Sequence, residues 1–157
     1  MAMVRFVDGS ATIVIDDSVA PLLIATSSGV STERITREMF DWLREFATAV
    51  HRRGSRYAVI VDARAAGRPS ALVRAMVATL TDDLRKATPG AELATFFVAE
   101  NPLIRGALTA IMWVSRSAWR PILVGSVEEA VRMAIERLRQ AGIDMPDLSP
   151  SYRPPTP

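Results

Sequence analysis

The spacing of hydrophobic residues changes several times along the chain, and each change marks a predicted element. Residues 11–15 and 21–26 are short, apolar and rich in β-branched side chains, and a polar turn over residues 16–21 separates them. This pattern predicts an antiparallel pair of strands. Residues 4–7 form an earlier apolar stretch for which an edge strand remains an open alternative, because the stretch is too short to decide.

After Ser31 the apolar residues lie three, four or seven positions apart, which is the spacing of one face of a helix. Ser31 is the predicted N-cap of this helix, and Gly54 is its predicted end. Residues 57–61 are then continuously apolar up to Asp62, as in a central strand that is covered on both faces. A loop is predicted to follow over residues 63–69.

The rest of the chain alternates between helix and strand in the same way, with strands predicted at residues 93–98 and 121–124. Each predicted helix in this part has a recognisable start and end. The starts are Ser70, Asn101 with Pro102 in the first turn, and the capping box of Ser126 and Glu129; the ends are Pro89 with Gly90, about Ser115, and Gly142.

The resulting order, β-β-α-β-α-β-α-β-α, predicts a mixed α/β sheet of four to five strands with four helices. Right-handed crossovers make the later strands parallel. The hairpin at the start, the helix after Asp62 and the capped final helix resemble the STAS and SpoIIAA-like group of bacterial domains over about residues 10–141. The resemblance implies a regulatory protein that works by association with other proteins.

In the antagonists of that group, a Ser or Thr just after the Asp-ended strand accepts phosphate from a partner kinase. Here Ala63, Arg64, Ala65 and Ala66 follow Asp62, and the first hydroxyl belongs to Ser70 at the predicted helix cap. The sequence therefore departs from the phosphorylation pattern. The stretch over residues 101–113 is more similar to uncharacterised STAS/SEC14-type proteins, which implies an apolar or lipid-like ligand as the alternative.

Composition excludes several classes of function. The 157 residues have a formal net charge of +2 with scattered arginines, which argues against a nucleic-acid surface. The absence of cysteine and the single histidine, His51, argue against metal sites, and neither a catalytic triad nor a nucleotide-binding fingerprint is present. We therefore expect no catalysis and no cofactor.

The same sequence predicts a cytoplasmic protein. It contains no signal-peptide pattern, and its longest apolar stretch, residues 107–114, is far shorter than the roughly 20 residues that span a bilayer. Residues 1–142 are predicted to form one domain. Residues 143–157 contain five prolines and are predicted to be a flexible tail that folding does not need.

Two candidate binding regions remain. The first is the loop after Asp62 and the start of the following helix, where unpaired backbone N–H groups favour an anion or an acidic partner. The alternatives are that Asp62 caps the loop and that the arginines pair with it. The residues of this region are Asp62, Arg64, Arg68, Ser70 and Arg74.

The second region is the third helix, whose apolar stripe is wider than one sheet face requires. It is predicted to form a subunit interface or the wall of an apolar pocket, and a deeply packed helix is the alternative. The residues concerned are Leu108, Ile111, Met112, Trp113 and Trp119. The sequence thus favours a non-enzymatic regulatory or scaffold module, a homodimer, with a carrier or sensor of a small apolar ligand as the alternative.

Overall fold

A computed structural model describes residues 3–145, 148 and 153–157 of the chain. It is a mixed α/β structure. The strands are β1 (Met3–Asp8), β2 (Ala11–Asp16), β3 (Leu22–Gly29), β4 (Tyr57–Ala66), β5 (Glu92–Val98) and β6 (Ile122–Val124). The helices are α1 (Glu33–Arg52), α2 (Ala71–Ala87), α3 (Pro102–Val114) and α4 (Val127–Gln140).

The described strands form one sheet in the order β1-β2-β3-β4-β5-β6. The pairs β1-β2 and β2-β3 are antiparallel, and the remaining three pairs are parallel. The predicted count of four to five strands is wrong by one or two, because residues 4–7 belong to a true edge strand. A two-residue turn at Gly9, with φ of +60°, allows β1 to fold back onto β2.

The helices lie on both faces of this sheet, but unequally. Every parallel crossover leads to the adjacent strand, so right-handed connections place α1, α2 and α3 on the same face. The opposite face is covered by α4. Alternate residues of the strands confirm this division, since Leu22 and Ile24 pack with α4, whereas Leu23 and Ala25 pack with α1.

Most predicted helix starts are confirmed by side-chain hydrogen bonds. The Ser70 hydroxyl accepts from the backbone N of Val73 at 3.1 Å, and the Asn101 side chain accepts from Leu103 at 2.9 Å. Ser126 accepts from Glu129 in the same way. The first helix is the exception.

The predicted N-cap Ser31 is wrong by one residue, because Thr32 occupies the cap of α1. Its hydroxyl accepts from the backbone N of Ile35 at 3.3 Å and donates to Asp8 of β1. Arg34 also bonds Asp8, at 2.8 Å. A tertiary partner on β1 therefore selects Thr32 over the neighbouring serine.

The predicted end of β4 is also wrong. The strand continues through Ala66, so the expected loop over residues 63–69 is much shorter and Asp62 lies inside the strand. The continuation is possible because β3 extends as well: Ser28 pairs with Ala65 and Gly29 with Ala66, after a bulge in the ladder. A pairing between distant segments thus overrides the local polar signal at Asp62.

Part of the predicted tail contacts the domain. Ile143, Met145 and Leu148 are half-buried and pack against the core under α4. The backbone N of Ile143 also donates to the carbonyl of Leu138 at 3.0 Å. Residues 146, 147 and 149–152 of the predicted tail lie outside the described residues. The division of the chain at Gly142 therefore stays a prediction.

Candidate functional site

Asp62 and Arg64 form an ion pair within β4. Asp62 is 5% exposed and lies on the α4 face, beside its strand neighbour Thr26. Arg64 donates to both carboxylate oxygens, through Nε at 2.9 Å and Nη2 at 2.8 Å, and its backbone N bonds the carboxylate as well. These bonds raise the pKa of Arg64, as do the nearby carboxylates of Glu100 and Glu128. The Arg64 guanidinium is thus already neutralised within the chain.

The other predicted residues of this region are not brought together around a common point. Arg74 donates to the carbonyl of Pro69 at 2.7 Å. The Ser70 hydroxyl caps α2 by accepting from the backbone N of Val73. Arg68 is exposed on the loop. An anion or acidic partner at this end of α2 stays a prediction.

The five predicted residues around α3 divide into two sets. Leu108, Ile111 and Trp119 are 2%, 7% and 8% exposed and point toward the sheet. Met112 is half-buried against the same cluster. Trp113, in contrast, is 84% exposed. Both an inner and an outer apolar surface therefore exist on this helix, and they are made of different residues.

The exposed surface of α3 includes one charged residue, Arg105, whose Nε donates to the carbonyl of Ala99, and an apolar strip beside it, which we call the outer face. At 100° per residue, Leu103, Gly106, Ala110, Trp113 and Val114 fall on one side of the helix. Leu103 and Val114 are more than half exposed. A side-chain carbon placed on Gly106 would meet nothing within 4 Å, so a shallow gap lies between Leu103 and Trp113.

The inner surface of α3 helps to line an apolar cavity of about 200 Å³. The cavity lies between the sheet and the helices α1, α2 and α3. On the sheet side it is lined in part by small side chains, among them Ala25 and Ala63. On the helix side its lining includes the large side chains of Phe40 and Leu108. The cavity is partly open to the surface, and most of its lining is apolar.

One end of the cavity is polar, and its central group is Glu92 at the start of β5. The Glu92 Oε1 atom accepts from the Thr95 hydroxyl at 2.7 Å and from the Trp119 indole N–H at 3.3 Å. Arg85 of α2 lies 3.6 Å from the same oxygen. None of these three contacts reaches Oε2, so this carboxylate keeps capacity for another donor.

Two buried polar atoms beside Glu92 lack a hydrogen-bond partner among the described residues: the Tyr57 hydroxyl and Arg85 Nε. Burial raises the pKa of Tyr57, and the Glu92 carboxylate raises it further, so the phenol stays protonated. An unpaired buried donor is costly and rare in native proteins. Tyr57 and Arg85 do not line the cavity; they line an open depression of about 320 Å³, which shares Leu84 and Glu92 with the cavity.

Sequence reasoning did not identify Tyr57, Arg85 or Glu92. Tyr57 looks like an ordinary strand residue, and Arg85 looks like a basic residue in the last turn of a helix. Glu92 offers the one usable signal, because it is a carboxylate that opens an otherwise apolar strand. The pairing of Tyr57 with Glu92 across β4 and β5 brings them together.

Asp82 ties the ends of α2 and α3 to each other. Its carboxylate accepts from the Ser115 hydroxyl at 2.6 Å and from the backbone N of Arg116 and Ser117 at 2.7 and 3.0 Å. Burial raises the pKa of Asp82, but these hydrogen bonds outweigh it and lower the pKa to about 2. Asp82 therefore fixes α2 relative to the end of α3, and both helices line the cavity.

Within residues 3–145, 148 and 153–157, no group of three or more His, Asp or Glu residues is arranged to hold a metal ion. In the same part of the chain, each helix is too short or too polar to cross a membrane.

Known proteins were compared with the chain by sequence and by structure. The chain matches no family model and no curated protein. Among solved structures, an anti-sigma factor antagonist from Mycobacterium paratuberculosis is similar, with 16% sequence identity and a TM-score of 0.48; the match covers 80% of this chain and 94% of that chain.

Proposed function

We propose that the protein is a non-enzymatic regulatory module that works by protein association, and that it forms a homodimer through the outer face of α3. The observation that carries this proposal is the 84% exposure of Trp113 within the apolar strip of α3. Apolar surface left in water costs about 25 cal/mol per Å², so this face favours a covering partner.

A second copy of the chain fits the outer face well. Gly106 and Trp113 are seven residues apart, about 10 Å along the helix. If two copies of α3 pack antiparallel around a twofold axis near Ala110, Trp113 of each copy lies over Gly106 of the other. Such a contact is isologous, because the same large and small residues serve both subunits.

The oligomeric state tests this proposal directly. Sedimentation equilibrium is expected to find a dimer for the native chain and a monomer for Trp113→Glu, with little change in melting temperature because Trp113 is exposed. Gly106→Leu is also expected to give a folded monomer, since a Cβ at this position meets nothing within 4 Å in its own subunit, whereas the leucine would block Trp113 of the other copy.

A matched control is Val7→Glu, which places the same charge at a 49% exposed apolar residue on β1, at the opposite edge of the sheet. This variant is expected to remain a dimer. A native chain that is monomeric at tens of micromolar, or a Trp113→Glu variant that is still dimeric, contradicts association through the outer face.

A second candidate function, carriage or sensing of a small apolar ligand, is supported by the cavity. Most of its lining is apolar, and apolar surface left in contact with water costs about 25 cal/mol per Å². An engineered apolar cavity of about 150 Å³ binds benzene, so a bound apolar molecule is a physically reasonable way to offset it.

Native mass spectrometry tests the second candidate, because it reports subunit count and retained ligand in one measurement. We expect the purified protein to carry an added mass that organic extraction removes, and we expect the melting temperature to fall after extraction. Ala107→Phe, which fills the cavity from α3, is expected to abolish the added mass while the subunit count stays the same. An added mass that survives this substitution contradicts binding in the cavity.

A further inference from the structure

The cavity is more open at the end where β3 and β4 finish. The lining residues there, Ser31, Gly67 and Pro69, are partly exposed, whereas Thr81 and Leu84 at the opposite end are buried. We propose that the open end, which we call the mouth, docks on an anionic lipid membrane from which an apolar ligand enters the cavity. The inference rests on the second candidate function, the binding of an apolar ligand, and adds the surface at which the ligand enters.

Two large apolar side chains lie beside the mouth and are exposed to water. Val30 and Leu72 are 50% and 62% exposed. Val30 lies against Gly67, since a side-chain carbon placed on this glycine would come within 2.6 Å of Val30 Cγ2. Leu72 lies in the first turn of α2, just after the loop of residues 67–70. Insertion at a membrane interface removes such side chains from water.

The charges on the α2 side of the mouth favour an anionic surface. Between Asp62 and Asp82 the sequence contains three arginines and no acidic residue. Arg64 is paired with Asp62, whereas Arg68 and Arg74 form no ion pair in the part of the chain that the structure describes. These two guanidinium groups are therefore available to lipid phosphates, which attract basic side chains near the membrane surface.

The excess of positive charge at this end of the sheet is small. Glu33 at the start of α1 and Glu100 before α3 are exposed carboxylates, and Arg105 in the first turn of α3 offsets one of them. Docking is therefore weak, reversible and sensitive to salt. Reversible docking suits a carrier, because the protein must leave the membrane once the ligand is bound.

The proposed homodimer leaves the mouth free. Both α2 and α3 begin at the mouth end of the sheet, because each follows the carboxyl end of a parallel strand. Two antiparallel copies of α3 then place their mouths at opposite ends of the dimer. One membrane therefore contacts one mouth at a time, and the affinity does not depend on dimerisation.

Vesicle sedimentation tests the docking. The native chain is expected to bind vesicles that contain about a quarter phosphatidylglycerol at least about tenfold more tightly than vesicles of phosphatidylcholine alone, and added salt should reduce the difference. Leu72→Glu and Arg68→Glu are each expected to weaken binding to the anionic vesicles about tenfold. Equal binding to both kinds of vesicle overturns the proposal. Binding to neither kind overturns it as well, and leaves the mouth to a protein partner.

Two matched controls carry the same charge changes at the opposite end of the sheet. Met3→Glu changes a 60% exposed apolar residue at the start of β1, and Arg53→Glu changes an exposed arginine at the end of α1. Both variants are expected to bind anionic vesicles like the native chain, as is Trp113→Glu. If Met3→Glu weakens binding as much as Leu72→Glu does, the loss reflects net charge, and the mouth is not the docking surface.

Native mass spectrometry separates two kinds of failure. Incubation with anionic vesicles is expected to remove the added mass of the native chain faster than incubation with phosphatidylcholine vesicles, and Leu72→Glu is expected to slow this loss. If the native chain carries an added mass that Ala107→Phe abolishes, but does not bind anionic vesicles, the cavity binds apolar molecules and the docking inference is wrong. If the native chain carries no added mass, the second candidate function fails, and entry of a ligand at the mouth fails with it.

Discussion

The two faces of the sheet are filled in opposite ways. On the α4 face, Ala130 and Ala134 are fully buried, so the helix backbone lies close to the strands and the core is continuous. On the other face, buried alanines lie both on the strands, as at Ala25 and Ala63, and on the helices, as at Ala47 and Ala78. The three helices of this face nevertheless surround a cavity of about 200 Å³.

This difference bears on the proposed binding of an apolar ligand. The α4 layer is a continuous core, and protein interiors are packed as densely as crystals, so this layer leaves no space for a ligand. On the other face, the size of the cavity depends on the positions of the three helices. The contacts that hold α2 and α3, such as Asp82 with Ser115 and Ser117, are therefore as important as the cavity lining.

The sharpest test of this comparison is the same substitution on both faces. Ala130→Leu on α4 is expected to lower the free energy of unfolding by about 3 kcal/mol, because the added carbons meet a filled core. Ala107→Leu on α3 is expected to cost less than about 1 kcal/mol or to stabilise, because it projects into the cavity. Leucine and alanine are both good helix formers, so propensity separates the two variants little.

Chemical denaturation of both variants measures the difference. Equal losses at Ala130 and Ala107 show that the two faces are equally packed, and the comparison then fails.

Removal of the residues after Gly142 gives the next largest expected effect, and it acts on the α4 face of the sheet. Composition predicts that residues 143–157 are dispensable, whereas the contacts of Ile143, Met145 and Leu148 predict a cost. Ending the chain at Gly142 is expected to lower the free energy of unfolding by about 2 kcal/mol, since full burial of one such side chain contributes about 1.5–3 kcal/mol. A chain ending at Leu148 keeps these three contacts but loses Pro155, which is buried, so its loss of stability is expected to be smaller than that of the chain ending at Gly142.

Local signals explain which parts of the fold the sequence predicts. The caps at Ser70, Asn101 and Ser126 are predicted correctly because the bonded atoms are two or three residues apart. The extension of β4 through Ala66 is missed because it depends on Gly29, which is far away in sequence. The wide apolar stripe of α3 is visible in the sequence too. Its division into an inner face and an outer face is not, because periodicity does not state where the neighbouring elements lie.

Substitution of Asp82 tests the contact between α2 and the end of α3 beside the cavity, and its expected effect is smaller. Asp82→Asn is expected to lower the free energy of unfolding by about 1.5 kcal/mol at pH 7, as for a hydrogen-bonded charge that is partly exposed. The folded-state pKa of about 2 lies below the ordinary value of 3.8, so the native carboxylate stabilises above that value and loses its effect as the pH falls. The unfolding curves of the two proteins should therefore converge near pH 2. A constant difference from pH 7 to pH 2 contradicts this origin.

Ser70 has the smallest expected effect, and it separates a helix cap from a phosphorylation switch. Its hydroxyl accepts from the backbone N of Val73 at 3.1 Å, and Asp62 lies on the opposite side of the sheet under α4. Ser70→Ala is expected to lower the free energy of unfolding by about 1 kcal/mol, while Ser70→Asp should cost almost nothing, because aspartate caps a helix as well as serine does. Neither change reaches the outer face of α3, so both variants should keep the oligomeric state of the native chain. If Ser70→Asp alone alters the oligomeric state, the residue acts as a charge switch, and the start of α2 then belongs to the association surface together with α3.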